Sequence, residues 1–488
     1  MFTKQFTKQF TSRSTRRAPR LRVCLLALAS IALIGCGPKA RTVAGGKSTD
    51  IKQEAKRPAI EQDLPLLRWV PADAEMVLVA ESLASLEKLS SVAEPFAAAI
   101  GSSAGELFNS PWLREGIDPQ ADIVLFTRGR DITVMAGKTA EAQANPAALH
   151  SAWTSLESGV AAVTWNMQPG SQAAGDWLEV MQAAAAGTGF SALPAATQSL
   201  VGEGKAAIRG HLPVLSLLAS AVGGEEFLSC LPLLRAAGGL RFEARLEPNG
   251  TATAKVAMPL QPSSLAAVSA VLGPGPSAGL VALRQTEAAH ISLGVDLPTA
   301  ATAFHEQSCP ELAYEIDRIL QGIPMSPPPR AIHAVGTRFD PSELSGRVAV
   351  QMPLRSKRFL ANQLGRIPAR SLFESNVKIN GQSVKRLSVP TMASIYYQLS
   401  DSQFLFATKK ALMTAILSPA SAPSREVAAV GLWPARFPQL REYLGQVAPS
   451  REAADLWYAI LLRFEYAGMT IALDDEALSM SVAVQPAQ

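Results

Sequence analysis

The chain reads as an α+β protein of two similar lobes, each an antiparallel sheet with helices packed on one face. Three observations predict this. Short segments alternating between apolar and polar residues are joined by tight turns, the pattern of hairpins with one solvated face. Alanine-rich stretches with apolar residues three or four positions apart lie between them and read as helices. The order of these segments then recurs in the second half of the chain.

The first lobe spans residues 64–262. Trp69-Val70-Pro71-Ala72-Asp73-Ala74 turns into a strand, Glu75–Ala80, and Leu83, Leu86, Leu89, Val92, Phe96 and Ile100 mark one face of a helix. A hairpin follows, Asp122–Phe126 and Asp131–Met135, turning at Thr127-Arg128-Gly129-Arg130. Alanine-rich helices are expected near 146–157 and 175–186, a short strand at Ala206–Gly210 and a helix at Pro213–Val222. The lobe closes on a second hairpin, Leu240–Leu246 and Thr251–Met258, with Glu247-Pro248-Asn249-Gly250 as its turn.

The second lobe, residues 263–488, replays this order. Leu293–Asp296 stands to Leu78–Glu81, Val335–Arg338 to Leu125–Arg128, and Ala428–Pro434 to Ala206–Pro213 with one gap. The last hairpin, Ile471–Leu473 and Leu478–Val484, matches the one around Leu246. The offsets are 215, 210, 222 and 227, and the matches are collinear, so an internal duplication explains them more simply than coincidence. Ser394–Phe406 finds no counterpart in the first half.

Ahead of the lobes, residues 1–22 carry Lys4, Lys8, Arg13, Arg16, Arg17, Arg20 and Arg22 and no acid, and a 13-residue apolar run, Val23–Gly35, follows. That is the layout of a secretory signal peptide, too short to span a bilayer as a mature helix. Its ending, Leu33-Ile34-Gly35-Cys36, resembles the lipobox of bacterial lipoproteins. The resemblance implies cleavage between Gly35 and Cys36, a diacylglyceryl thioether and an N-acyl chain on Cys36, and hence a lipid anchor in the membrane. Gly37 in place of aspartate after the cysteine resembles lipoproteins sorted to the outer membrane, which puts the chain on the periplasmic face. Residues 36–63 are polar, glycine-bearing and without period, a flexible tether between anchor and lobes. Val70–Leu89 and Ile395–Leu417 also resemble an uncharacterised family of exported bacterial proteins, which implies no activity.

Removing the leader changes two inferences. Its seven cations take the formal net charge from +4 to −3, so the basic balance gives no reason to expect nucleic acid. Of four cysteines, Cys24 leaves with the leader and Cys36 carries the anchor. Cys230 and Cys309 then face an oxidising compartment, where a disulfide is the expected outcome. Two free thiols, or a reactive Cys309 at the helix start Ser308-Cys309-Pro310-Glu311, are the alternatives.

Catalytic signals are sparse. Gly101-Ser102-Ser103-Ala104-Gly105 and Gly275-Pro276-Ser277-Ala278-Gly279 match Gly-x-Ser-x-Gly, but the first follows a helix and the second precedes a strand, and a nucleophile elbow needs the reverse. His305-Glu306-Gln307-Ser308-Cys309 lacks a third ligand and runs into Pro310, so no metal and no cofactor is expected. One stretch stands out by charge. Between Leu344 and Pro390 nine cations oppose Glu374 alone, a net of +8, which leaves the rest of the mature chain at −11. Arg355, Lys357, Arg358 and Arg366 could meet an anionic lipid, lipopolysaccharide phosphates or an acidic protein partner; the other reading is a face paired with this chain's own acids. Phe359, Leu360, Leu364 and Ile367 make part of the stretch an amphipathic helix over the core. The function expected is a membrane-anchored periplasmic lipoprotein that binds or scaffolds, with no catalysis evident. The alternatives are a serine hydrolase and a carrier of an apolar ligand or lipid between sheet and helices.

Overall fold

Met76–Ala80, within the strand expected at 75–80, alternates its side chains between two apolar layers, and the first unit is assembled around it. In this computed structural model the described residues are 64–89, 118, 120–128, 131–137, 151–157, 159–166, 177–187, 189–193, 207–212, 240–260, 262–306, 314, 317, 320–321, 327–340, 345–365, 373–388, 394–417, 425–447, 450–474 and 477–487. They fall into two compact units, one ending at Pro259 and the other beginning at Leu260.

The first unit is an antiparallel sheet of β1 (Met76–Ala80), β2 (Ile123–Arg128), β3 (Asp131–Gly137), β4 (Ser151–Glu157), β5 (Val160–Asn166), β6 (Ile208–Leu212), β7 (Leu240–Leu246) and β8 (Ala252–Pro259). Its strand order is β4-β5-β3-β2-β1-β6-β7-β8. Val77 and Val79 point with Val124, Phe126 and Met135 into a core closed by the 3-10 turn Pro65–Trp69 and by a helix, Trp177–Ala186. Ala80, Ile123 and Val134 point the other way, against Leu83 and Leu86 of helix α1 (83–89). Both faces of this sheet are therefore covered in part, where helices on one face were expected. The helix Trp177–Ala186, called α2, lies within the stretch read as helical at 175–186. Residues 151–157 are instead a strand. Trp153 and Thr154 are strand formers, and pairing with β5 satisfies their backbone where an isolated alanine-rich turn would not. The helix expected at Pro213–Val222 lies outside the described residues.

The second unit holds β9 (Ala289–Leu293), β10 (Ile332–Asp340), β11 (Ser345–Pro353), β12 (Phe373–Ile379), β13 (Gln382–Ser388), β14 (Ile395–Leu399), β15 (Gln403–Ala407), β16 (Glu426–Leu432), β17 (Phe464–Leu473) and β18 (Ala477–Pro486). Its order is β12-β13-β14-β15-β11-β10-β9-β16-β17-β18, all antiparallel. From β14 to β18 this reproduces the first unit's order strand for strand. The stretch Ser394–Phe406 therefore has a counterpart after all, the β4–β5 hairpin. What stands outside the common order is β12–β13, whose turn Asn380-Gly381 has φ of 49° and 77°, the left-handed pair that a two-residue hairpin needs.

The helices that accompany this sheet among the described residues include α3 (Pro262–Ala270), α4 (Ala278–Leu283), α5 (Leu297–Glu306), α6 (Arg358–Gly365), α7 (Lys410–Ile416), α8 (Leu440–Val447) and α9 (Arg451–Leu461). Leu280 of α4 and Leu412, Met413 and Ile416 of α7 pack on Val335, Ala349, Leu405 and Ala407. The amphipathic helix expected from Phe359, Leu360 and Leu364 is α6, and it lies on the opposite face. Its Leu360 and Leu364 pack against Ile395, Tyr397, Phe404 and Phe406. Alternation along β15 explains the split, since residues two apart share a face and neighbours do not. No helix of the described residues is long and apolar enough to cross a membrane.

Phe126 tests this layering because it is fully buried under the 3-10 turn and α2. Phe126→Ala should destabilise the chain by about 3–5 kcal/mol, read as a shift of the urea midpoint at constant slope.

Candidate functional site

Of the residues singled out in the sequence, Gly35, Cys36, Ser102, Ser103, Cys230, Cys309 and Arg366 lie outside the described residues. Ser277 is within them, and its surroundings account for the second Gly-x-Ser-x-Gly string without catalysis. It is followed by helix α4, where a strand was expected, and no strand leads into it. Its hydroxyl oxygen accepts the Leu280 N–H at 3.3 Å as a helix N-cap, and its own N–H donates to Gln351 Oε1 at 2.8 Å. Gly279 is needed for close approach: a Cβ there would lie 1.8 Å from the Ala415 carbonyl oxygen of α7. The string is a cap and a helix-crossing glycine. Among the described residues no group of three potential metal ligands comes together.

The basic stretch is largely occupied by this chain's own acids. Arg355 Nη2 donates to Asp296 Oδ1 at 2.5 Å and to Thr299 Oγ1 at 2.8 Å, and Arg330 lies 3.6 Å from the same carboxylate. Arg347 pairs with buried Glu287, whose carboxylate also accepts the Thr337 hydroxyl. Lys385 meets Glu374, and Lys357 meets the exposed Asp401 at 3.0 Å. Arg358, at the start of α6, is exposed and makes no ion pair among the described residues.

The structure also joins residues that sequence reading kept apart. His290 and Ser292 sit two apart on β9, and His333 on β10 and Glu426 on β16 face them across the sheet. Ser292 Oγ lies 2.6 Å from His333 Nδ1, and Nε2 of His333 donates to the Pro274 carbonyl at 2.9 Å. Glu426 is gripped by Arg284 through two bonds of 2.5 and 2.6 Å, and Ser292 also bonds it. Burial pushes the Glu426 carboxyl up, but the bonds from Arg284 and Ser292 outweigh it and hold the group below the usual carboxylate range. A serine, a histidine and a glutamate are thus within reach of one another, in an order that does not suit hydrolysis. A catalytic relay needs the imidazole between serine and carboxylate; here the serine is in the middle and is 2 % exposed. The hydroxyl has one proton and two acceptors to choose from. The signal in the sequence was the pair of polar residues at alternate positions of Ala289-His290-Ile291-Ser292-Leu293, which a solvated strand face would equally have explained.

Beside this group the His290 ring fills the space of a missing side chain, since a Cβ on Gly431 would fall 2.1 Å from its Cε1. Burial and the Arg284 charge lower the His290 pKa to about 4, against the opposing pull of Glu426.

On the other side of the same strands the residues are apolar in three successive cross-strand rows. Ala289, Leu432, Ala467 and Val484 form one; Ile291, Val430, Met469 and Val482 the next; Leu293, Ala428, Ile471 and Met480 the third. In the middle row Ile291 is 57 % exposed, Val430 42 % and Val482 36 %.

Two outcomes test the geometry. Gly279→Ala should cost about 1–3 kcal/mol by overpacking the crossing of α4 and α7, measured by thermal or urea unfolding. His290 should make the fold acid-sensitive. Its folded pKa lies below the unfolded value, so its stability contribution is complete above pH 6.5 and is lost as pH falls towards 4. The loss amounts to about 3 kcal/mol, and His290→Gln should flatten that part of the stability–pH curve. Neither a family model, nor a curated protein, nor a solved structure matches the chain.

Proposed function

We propose that the chain is a lipoprotein of the bacterial cell envelope, tethered through acylated Cys36 to the outer membrane and acting at its periplasmic face as a binding or scaffolding module. The observation that carries the binding reading is the composition of the second unit's sheet. Arg284, Arg347 and Arg355 are held in internal pairs, while the face bearing Ile291, Val430 and Val482 presents aliphatic side chains to solvent. A surface of that kind recognises by packing rather than by chemistry. The location rests on the leader: the basic residues 1–22, the short apolar run and Gly35-Cys36 together. The carrier reading survives in altered form. The space between sheet and helices is filled by Leu280, Val335 and Leu412, so an apolar ligand would sit on the open face instead.

We further propose that the two units are lobes of one ancestral design, duplicated. Support comes from the shared strand order and from register. In the ladders Leu125 and Val335 both pair with the central strand, at Leu78 and His290, and Gly210 and Gly431 pair with those same residues. That register agrees with the offset of 210 read from the sequence for Thr127-Arg128 and Thr337-Arg338, although β10 carries a bulge between Gly336 and Arg338 that β2 lacks. It moves the echo of Leu78-Val79 by three residues, onto His290-Ile291.

Cys36→Ser tests the anchor. The wild-type chain, expressed with its leader, should appear in the membrane fraction with a mass increased by three acyl chains. The variant should lose the acyl mass and the membrane association. A wild-type chain recovered soluble and unacylated would end the proposal.

A further inference from the structure

The two units share a strand order, so the same position can be compared in both. In the first, the row through Val79 continues across β6, β7 and β8 as Arg209, Glu243 and Lys255, alternating in sign as a solvated face should. In the second, the row through Ile291 continues across β16, β17 and β18 as Val430, Met469 and Val482. Three charges stand where three aliphatic side chains stand in the other unit. The half of the row on the other side of Val79, namely Val124, Met135 and Ala162, is roofed by the Pro65–Trp69 turn and α2. Its equivalent beside Ile291 ends under α6 at Phe406; between them Val350 and Ala334 are half-buried, and the exposed part of the row is Ile291, Val430 and Val482.

The size of this surface limits what can lie on it. Five residues of β9 and the spacing of four strands bound it at about 17 Å by 14 Å, and with Ile471 of the third row buried the open part is at most on the order of 250 Å². A stable protein–protein contact takes about 800 Å² from each partner, so this face alone is too small for one. It is the right size for an extended hydrocarbon chain. Near the Ala289 end of β9, Glu287 is matched one for one by Arg347, whereas the Leu293 end carries more cations than acids. At the end where β9 finishes in Leu293, Asp296 is shared by Arg330 and Arg355, and Lys357 and exposed Arg358 lead into α6 on the apolar face. Of the four cations there, Arg330 and Arg355 share Asp296 and Lys357 pairs with Asp401, which leaves an excess of two positive charges.

We infer that the open face of β9, β16, β17 and β18 binds the acyl chain of an anionic amphiphile, and that Arg355, Lys357 and Arg358 receive its headgroup; this rests on the binding reading above. The chain lies across Ile291, Val430 and Val482, and the acidic group reaches the start of α6, where Arg358 makes no ion pair among the described residues and two arginines compete for Asp296. The pairs already present there hold the cations in place for an incoming anion.

The test uses the full chain and pyrene-labelled hexadecanoate, with the methyl ester of the same probe as the uncharged control. The acid should bind saturably and the ester more weakly. Ile291→Asp with Val430→Asp should weaken the acid about tenfold or more. Val482→Ser is the milder variant should the double change disturb folding, which circular dichroism would show. Arg355→Gln, Lys357→Gln and Arg358→Gln together should weaken the acid roughly fivefold, increasingly so at low salt, and leave the ester unchanged. Vesicles of phosphatidylcholine with and without phosphatidylglycerol separate the sources: association only with the anionic vesicles assigns a membrane lipid, and uptake of the free acid alone a monomeric one. Equal binding of acid and ester, or acid binding untouched by the changes at Ile291 and Val430, would overturn the inference. So would concentration-dependent dimerisation that those changes abolish while no probe binds, although the face would then still be a binding surface.

Discussion

A β-strand has two faces and a period of two, and the second unit depends on how β9 meets that constraint. The strand is central, with β10 on one side and β16 on the other, so its backbone is fully paired and only its side chains can vary. Ala289, Ile291 and Leu293 fall on one face, His290 and Ser292 on the other. In an antiparallel sheet with one solvated face the polar residues would be turned outwards. Here they are turned towards α4 and α7, and Ile291 is the exposed residue, with Ala289 and Leu293 half-buried beside it. The buried polar group and the open apolar surface are two sides of a single register.

Polar groups turned inward need partners, and the second unit brings them to Ser292, His333 and Glu426 from distant parts of the chain, while His290 Nδ1 and Arg284 Nε are buried with no hydrogen-bond partner among the described residues. Arg284 follows the last turn of α4, Glu426 opens β16, and the bidentate pair between them lies beside Ser292, His290 and His333. A buried pair of this kind offsets its own desolvation only with good geometry and further hydrogen bonds, both present here. Losing one partner leaves the other charge buried and alone, which costs more than the pair contributes. Arg284 is held at a second point, because its backbone carbonyl accepts the Trp433 indole N–H, and Arg436 in turn stacks on that ring. The helix end, the start of β16 and the loop after it are thereby tied together, on the face opposite the aliphatic rows.

How much of this was legible follows from which interactions are local. Hairpins were readable because their turns are short-range chemistry: Pro248-Asn249-Gly250 and the strands about it need no tertiary information. The recurrence of Thr127-Arg128 as Thr337-Arg338 was readable for the same reason, being a comparison of strings. Residues 151–157 were misread because alanine content outweighed Trp153 and Thr154, and their pairing with β5 is a tertiary fact. The Ser277 string could not be interpreted until α7 was seen to cross α4 at Gly279. Ser292, His333 and Glu426 are separated by most of the second unit, and no spacing rule connects residues that only strand order brings together. The assignment of faces was hidden as well. A five-residue strand with apolar and polar residues alternating says that it has two sides, not which side is roofed.

That last point bears on why the two units differ. Around Leu78 the helix-side row of the first unit continues through Gly210, Phe242 and Val256; around His290 that of the second continues through Gly431, Gly468 and Ala483. Where the first unit has large apolar residues the second has a histidine and small ones on this side, and where the first has charges the second has aliphatic side chains on the other. The exchange follows physically from Gly431 and Gly468: with no side chain there, the space is taken by the His290 ring and by Tyr466, whose hydroxyl lies against Gly468. Rings that carry polar atoms need neighbours such as Arg284 and Glu426, and apolar bulk is displaced from that layer. Burial on the helix side alone would have been served as well by the first unit's scheme. Aliphatic residues held on the outer face therefore call for a reason outside the fold, and a ligand that packs against them supplies one.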